Sequence, residues 1–206
     1  MNWAGQGDVM NNMGLYNEAL LYYDKAIELN PTYARMWASK GRTLTRLSRY
    51  SEALDSLKKS SNLDSEDAYS WASLGDVLAK LKRYDDALSS YNESLRLDDS
   101  QYLIWTSIGD IQYALKEYDI ALESYDKSLE LNPSYAYAWA SKGDALIKLD
   151  MYDEALDSSN KSLAINSYSG YAWYVKGMAL RGLNLDSDAE KAFDMSRNLG
   201  YTISYI

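Results

Sequence analysis

The sequence predicts an all-α fold, an α-solenoid built from six consecutive helix pairs. Three observations lead to this prediction, and all three recur with a spacing of 34 residues. A glycine follows each tryptophan after four residues, and an alanine follows each of these glycines after twelve. A fixed period of this length, kept through six units, is the signature of a repeat array. The tryptophans are Trp3, Trp37, Trp71, Trp105, Trp139 and Trp173.

The first helix of each unit surrounds the tryptophan. In the third unit, Trp71, Gly75 and Leu78 stand at i, i+4 and i+7, so they share one face of a helix. A glycine inside a helix costs about 1 kcal/mol relative to alanine. Its recurrence at one position therefore predicts a close approach between two helices, which a side chain would block.

The second helix of each unit contains the recurring alanine and has its own start signal. Two residues before that alanine the chain has Asn17, Ser51, Asp85, Asp119, Asp153 and Ser187. Such side chains are favoured N-caps, because they accept a hydrogen bond from an amide of the first helical turn. We therefore expect the second helix to begin just after them. Pro31 and Pro133 predict its end in two units, since proline cannot continue a helix.

Taken together, these residues resemble the tetratricopeptide repeat. The first unit carries the motif as Trp3, Gly7, Tyr16, Ala19, Tyr23, Ala26 and Pro31. The fourth unit carries it as Trp105, Ile108, Gly109, Tyr118, Ala121, Tyr125 and Pro133. The sequence departs from the family where serine replaces the usual alanine, at Ser60, Ser94, Ser128, Ser162 and Ser196.

The resemblance covers essentially the whole chain, so it implies a single array over residues 1–206. The repeats span approximately 1–33, 34–67, 68–101, 102–135, 136–169 and 170–203, followed by a short tail, 204–206. The family implies a right-handed superhelix of six stacked antiparallel helix pairs. In such an array the first helices line a concave groove.

Composition argues against several classes of function. The net charge of −9 repels phosphate backbones and anionic lipid, so we expect no nucleic-acid partner and no membrane partner. The chain lacks both cysteine and histidine, which removes thiolate chemistry and the commonest general base and zinc ligand. We therefore predict a protein that is not an enzyme and uses no cofactor or metal. No signal peptide or long apolar run is recognisable, so the expected location is cytoplasmic.

Candidate binding residues form a second stripe on the first helices, beside the buried one. The stripe uses the positions two before each tryptophan and one, five and eight after it. In the family it faces the groove and contacts peptides, and alanine one residue after the tryptophan, as at Ala38 and Ala140, is expected to leave room for a ligand backbone. The predicted groove residues, including two flanking lysines and Arg46, are Asp8, Arg35, Arg42, Arg46, Tyr69, Asp76, Lys80, Asp110, Tyr113, Tyr137, Asp144, Lys148, Tyr171 and Tyr174.

Two interpretations of the charges on this stripe stay open. Cationic or amide donors of a ligand would suit the aspartates, and a ligand carboxylate would suit the arginines. Alternatively, the charges are solvated and screened, and each contributes little. The lysine and asparagine clamp of chaperone-tail binders is absent, because Ala4, Asp8 and Arg42 stand at the matching positions.

The sequence therefore predicts a non-enzymatic scaffold that binds a peptide or helix of a partner protein in its concave groove. The alternative is a substrate-recognition or oligomerisation segment of a larger multidomain protein, an enzyme included. No polar helix follows the sixth repeat, which predicts an apolar end formed by Phe193, Met195, Leu199, Tyr201 and Ile206. Such an end suggests a longer array, end-to-end self-association, or coverage by the chain's own tail.

Overall fold

Residues 2–202 are described by the computed structural model, and within them every regular element is an α-helix. These residues contain twelve helices and no strand, so the predicted all-α class is confirmed. The chain divides into two compact units, one ending at Ser100 and the other beginning at Gln101. Each unit is a short solenoid of three consecutive helix pairs.

Unit 1 contains the first three pairs. Its helices are α1 (Trp3–Asn12), α2 (Tyr16–Leu29), α3 (Ala34–Arg46), α4 (Tyr50–Leu63), α5 (Ala68–Lys80) and α6 (Tyr84–Leu97). The two helices of a pair are antiparallel, because Gly41 in the middle of α3 contacts Leu57 while the start of α3 meets Ser60. The core lies between the helices and includes Ala19, Tyr23 and Met36.

Unit 2 repeats this arrangement. Its helices are α7 (Tyr102–Ala114), α8 (Tyr118–Leu131), α9 (Ala136–Lys148), α10 (Tyr152–Ile165), α11 (Gly170–Gly182) and α12 (Asp186–Asn198). One apolar cluster joins Leu146 and Ile147 of α9 to Ala155 of α10 and to Val175 and Ala179 of α11. Consecutive pairs within the unit therefore share one core.

The N-caps expected for the second helices are wrong by two residues. Helix α8 begins at Tyr118, so Asp119 is its second residue and Glu117 precedes it. The turn before it is held by the backbone, since the amide of Glu117 donates to the carbonyl of Gln112 at 2.9 Å. Acidic residues in the first turn then stabilise the helix through its dipole. The same shift applies to Asn17, Ser51, Asp85, Asp153 and Ser187.

The close helix approach predicted from the recurring glycine is confirmed. A Cβ atom placed on Gly109 would lie 2.6 Å from Cε1 of Tyr125, on the second helix of the pair. The same atom on Gly75 would lie 2.5 Å from Cδ1 of Tyr91. The glycine therefore makes space for a large side chain of the neighbouring helix.

The buried serines that replace the family's alanine each have a hydrogen-bond partner. Four of them donate to the carbonyl of the first residue in their own pair's first helix, at 2.7 to 2.9 Å. The fifth, Ser128, shares a hydrogen bond of 2.7 Å with Thr106. A buried hydroxyl with a partner costs little, so serine is accommodated at a position that normally holds alanine. The four are Ser60, Ser94, Ser162 and Ser196.

Within each unit, the connectors between consecutive pairs share one geometry. An asparagine or aspartate follows the second helix and accepts a hydrogen bond from the amide two residues later, as Asn132 does from Ser134 at 3.1 Å. The next tryptophan then donates its indole N–H to the carbonyl six residues before it. Trp139 donates in this way to Pro133, and Trp37 to Pro31, both at 2.9 Å. The period of 34 residues is thus kept by the same turn at each of these connectors.

The end of α12 departs from this geometry, and the predicted apolar end is only partly present. Gly200 has a φ of +79°, and the amide of Tyr201 turns back to donate to the carbonyl of Ser196 at 3.1 Å. Phe193 is buried rather than exposed, because it fills the space beside Gly177. Met195 is exposed, and Leu199 and Tyr201 are half-buried. Ile206 lies outside the described residues.

Candidate functional site

The predicted groove residues all lie on the first helices of the pairs, which are the odd-numbered ones. The expectation that alanine next to the tryptophan lines the groove is wrong. Ala38 is 1% exposed and Ala140 is 0% exposed. Ala140 packs against Leu163 of the second helix and Ala172 of the next pair. In these two units the position therefore belongs to the core, whereas Tyr174 at the same repeat position is half-buried.

In unit 2 the aspartates of the stripe are held by tyrosine hydroxyls. Asp110 accepts hydrogen bonds from Tyr125 of its own pair at 2.9 Å and from Tyr137 of the next pair at 3.1 Å. Asp144 accepts one from Tyr171 of the next pair at 3.0 Å, and it also interacts with Tyr113. We call this set of contacts the tyrosine–aspartate ladder.

Unit 1 contains the same contacts in a modified form. Asp8 accepts a hydrogen bond from Tyr23 at 3.0 Å. Its second donor is Arg35 at 3.1 Å, which occupies the repeat position of Tyr137 and Tyr171. Asp76 accepts from Tyr91 at 2.8 Å. The structure therefore joins several of the predicted site residues to one another, so their polar groups are already partly used within the chain.

The predicted site residues do not include the tyrosines of the second helices, although the sequence contains a signal for them. In three of the four units with aspartate after the glycine, the residue fifteen positions later is tyrosine; in the other, after Asp144, it is Ser159. The two units without that aspartate have an apolar residue there instead. These units pair Arg42 with Leu57 and Met178 with Phe193. The tyrosine thus accompanies the carboxylate it binds, and the missed residues are Tyr23, Tyr91 and Tyr125.

The surroundings of the ladder shift the pKa values of its members. Burial raises the pKa of Asp144, against the opposing effects of Tyr171, Lys148 and Tyr113. Burial and the nearby Asp144 carboxylate raise the pKa of Tyr171 well above its usual value. Burial and the hydrogen bond to Asp8 raise the pKa of Tyr23 to about 12. These tyrosines therefore stay protonated and act as hydrogen-bond donors at neutral pH.

Asp144→Asn is expected to stabilise the protein at pH 7. Because the pKa of Asp144 is raised, the folded state binds this proton more tightly than the unfolded state does. The free energy of unfolding then falls as pH rises through that pKa, and a neutral amide avoids the loss. Thermal unfolding of both proteins should show a higher midpoint temperature for the variant at pH 7. The difference between the two midpoints should shrink as the pH is lowered towards 3.8, the ordinary pKa of an aspartate.

Asp119→Asn, on the exposed start of α8, is the control for the same change in net charge. A difference between Asp144→Asn and wild type that does not vary with pH would contradict the expectation.

Arg42 differs from the aspartates of the same stripe. Its side chain is exposed, and its guanidinium contacts the hydroxyl of Ser39 at 3.4 Å. No carboxylate of residues 2–202 forms an ion pair with it. Arg46 lies on the same helix, where it contacts the side-chain oxygen of Asn11 at 3.4 Å and covers the ring of Tyr16. This part of unit 1 can therefore accept an anionic group.

An aromatic surface occupies the corresponding part of unit 2. The ring centroid of Tyr171 lies 6.1 Å from that of Tyr137 and 5.7 Å from that of Tyr201. A cavity of about 600 Å³ borders these three residues together with Asp144. The rings and the carboxylate suit contacts with an aromatic or amide-bearing side chain of a ligand.

Not every predicted residue takes part in these contacts. Tyr69 is 66% exposed. Tyr137 and Tyr171 each bind the aspartate 27 residues before them, but Tyr69 has Arg42 at that distance, and a guanidinium is not an acceptor. Lys80 and Lys148 are exposed and attract Asp76 and Asp144 through their charge. These three side chains remain accessible to a ligand.

The described residues supply contacts that suit ligand binding. Between Asn2 and Thr202 no cluster of acidic side chains has the arrangement of a metal site. The same stretch contains no helix of sufficient length and apolarity to span a membrane. What the site supplies is hydrogen-bond donors and acceptors, exposed cations and aromatic rings.

Models of known families match three stretches of the chain. The tetratricopeptide repeat matches residues 102–135 and, in a second model, residues 124–157. A model described as anaphase-promoting complex, cyclosome, subunit 3 matches residues 12–94. No curated protein matches the sequence.

Solved structures with similar folds cover most of the chain. A crystal structure of MamA has a TM-score of 0.73 and 24% identity, and the match covers 78% of this chain and 94% of that one. YrrB, described as a TPR protein with an unusual peptide-binding site, has a TM-score of 0.70 and 22% identity over 86% of this chain and 91% of that one. A chain of the APC/C hetero-tetramer Cut9-Hcn1 has a TM-score of 0.79 and 18% identity, over 96% of this chain and 39% of that one. At these identities the likeness concerns the fold.

Proposed function

We propose, from the premise that this chain belongs to the tetratricopeptide repeat family, that it binds an extended peptide or a short helix of a partner protein. The family membership is supported by the matching repeat models and by the helix pairs described above. The fold is that of a protein–protein interaction scaffold. We propose that the ligand lies along the first helices, and that the protein has no catalytic activity of its own.

Arg42 is the observation that carries this proposal. It stands on the same stripe as Asp8, yet Asp8 is bound by Tyr23 and Arg35 while Arg42 forms no ion pair within residues 2–202. A guanidinium binds a carboxylate through two parallel hydrogen bonds, which gives both strength and direction. We infer that Arg42 receives a carboxylate of the ligand, either a side chain or a terminus.

Unit 2 offers ligand contacts of its own through the tyrosine–aspartate ladder. A carboxylate has about four lone-pair positions, so Asp144 can accept further hydrogen bonds beside those from its tyrosine donors. Ligand amides or cations would bind there, with Tyr137 and Tyr171 as neighbouring rings. The 34-residue period continues without interruption through residues 100–101, and on this basis we propose that both units belong to one array.

The second candidate is a recognition or oligomerisation segment of a larger protein. The chain spans 39% of the matching chain in the Cut9-Hcn1 structure, so a fold of this kind does occur within a longer polypeptide. Under this alternative the same groove would serve a protein whose other domains supply a separate activity. The length of the complete gene product distinguishes the two.

Arg42→Glu is expected to abolish capture of a partner. Reversing this charge places a carboxylate against the ligand's carboxylate, and loss of a charged hydrogen-bond pair of this kind weakens binding by at least tenfold, about 1.4 kcal/mol. Immobilised wild type and variant would be incubated with cell lysate, and the captured proteins identified and titrated individually.

Lys59→Glu is the matched control, because it makes the same change of charge at an exposed position of the second helix α4. Both variants should keep the wild-type unfolding temperature. Capture of the same partners, with equal affinity, by Arg42→Glu and by wild type would contradict the proposed use of Arg42.

A further inference from the structure

The segment after α12 packs against α11 instead of continuing away from it. The other second helices are followed by an asparagine or aspartate with extended backbone, as at Asn132 and Asn166. After α12 the chain has Gly200, whose positive φ reverses its direction. The amide of Tyr201 then bonds to the carbonyl of Ser196, which fixes where the Tyr201 ring lies.

The Tyr201 ring occupies a position lined by other aromatic side chains. Its centroid lies 5.7 Å from that of Tyr171 and 5.5 Å from that of Tyr174. Both distances fall in the range in which tilted aromatic pairs attract each other, about 4.5–7 Å. Burial and the neighbouring Asp144 and Tyr174 raise the pKa of Tyr201, so its hydroxyl stays neutral.

Gly170 makes room for this ring. It begins α11, whereas three other first helices begin with alanine, at Ala34, Ala68 and Ala136. A Cβ atom on Gly170 would lie 2.7 Å from Cβ of Tyr201, closer than two carbon atoms can pack. Because residue 170 has no side chain, the Tyr201 side chain can pack against the start of α11.

Tyr201 also forms a wall between two open cavities. One has a volume of about 600 Å³ and borders Tyr137 and Asp144. The other has a volume of about 490 Å³ and borders Met178, Arg181 and Phe193. A ligand side chain in the place of the Tyr201 ring would therefore have free space on both sides for its flanking residues.

We propose that this position is a binding subsite for an aromatic side chain of a partner peptide, and that Tyr201 of the chain itself occupies it until the peptide displaces it. The proposal rests on the proposed function and adds to it the chemical class of one ligand group. A tethered ring has an effective concentration in the millimolar range when its linker is short. A displacing peptide must therefore gain further contacts in the two cavities.

Tyr201→Ala in the full chain tests the proposal by emptying the subsite. The probe is an acetylated and amidated peptide with the sequence Asn-Leu-Gly-Tyr-Thr, taken from residues 198–202, and a second peptide with alanine in place of tyrosine. Binding is followed through the amide NMR signals of residues 170–174. The tyrosine peptide should bind the variant at least about tenfold more tightly than wild type, because the tethered competitor is gone. The alanine peptide should cause no shifts.

Tyr168→Ala is the matched control, since Tyr168 is 80% exposed and lies outside the ring cluster. It should bind the tyrosine peptide no better than wild type. Equal binding by wild type and Tyr201→Ala would overturn the proposal, as would equal shifts with the alanine peptide.

If Tyr201→Ala does not fold, Tyr201→Leu is used in its place. If neither variant folds, Tyr201 is a structural cap, and the proposal is overturned. The outcome is independent of the Arg42 experiment, which probes the other unit, so failure of one is distinguishable from failure of the other.

Discussion

Gly109→Ala is expected to destabilise unit 2 by about 2 kcal/mol, although alanine is the better helix former by about 1 kcal/mol. The added Cβ would lie 2.6 Å from Cε1 of Tyr125. Tyr125 is 1% exposed and its hydroxyl is bound to Asp110, so the ring cannot rotate away. The two helices must separate, and the contacts between them weaken.

Gly143→Ala provides the comparison within the same unit. Gly143 has the same repeat position, but the second helix there carries Ser159 in place of the tyrosine, and the nearest atom is Cγ1 of Val175 at 2.9 Å. We expect a smaller loss of stability, because one valine methyl can shift more easily than an anchored ring. Urea unfolding followed by circular dichroism would rank the two variants. Equal losses, or a gain for Gly109→Ala, would contradict the packing argument.

Asp110→Ala is expected to cost about 2–3 kcal/mol of stability in unit 2. The substitution leaves the hydroxyls of Tyr125 and Tyr137 without the acceptor they share. Tyr125 is buried, so water cannot take over that role at its hydroxyl. Asp110→Asn keeps an acceptor oxygen at the same place and should retain most of the stability.

A double-mutant cycle separates this effect from a general change in packing. Tyr125→Phe removes one of the stranded donors, so the double variant Asp110→Ala/Tyr125→Phe should be more stable than the sum of the two single losses predicts. Additive losses would show that the hydrogen bond between Tyr125 and Asp110 contributes nothing measurable. A substitution that reverses the charge of Asp110 would also remove the acceptor of Tyr125 and Tyr137, so we expect it to destabilise the fold. Arg42 is therefore the better position for binding experiments.

The fold was predictable from the sequence because its determinants are local and recur. Gly75 leaves room for Tyr91, and at every other repeat glycine a neighbouring side chain likewise lies where a Cβ would stand, so the period reveals the close packing without knowledge of the contacts. The N-caps were predicted wrongly because residue type alone does not show where a backbone hydrogen bond closes the turn. Asp119 has the composition of a cap, but the turn before α8 is closed by a backbone hydrogen bond from Glu117.

The candidate site was less predictable, because its polar groups meet across helices. The spacing of residues within one helix places Asp110 and Asp144 on an accessible stripe. It cannot show that Tyr137 and Tyr171 of the following pair bind them. The distance of 27 residues between donor and acceptor is itself periodic, and Arg35 with Asp8 follows it too. Comparison of repeats at that spacing, rather than within one helix, would have revealed the contacts. The place of Tyr201 had no such signal, since the chain after α12 leaves the repeat geometry.

The indole hydrogen bonds give four of the connectors an optical reporter each. Trp37, Trp71, Trp139 and Trp173 each donate to the carbonyl six residues earlier, at 2.9 Å. Opening one of these connectors would expose its indole to water and shift its emission, while the neighbouring indoles keep their surroundings. Proteins that retain one of these tryptophans, with phenylalanine at the other tryptophan positions, would report the order in which the connectors open during unfolding. The sequence thus supplies one fluorophore in the same bonded setting at four connectors, without labelling.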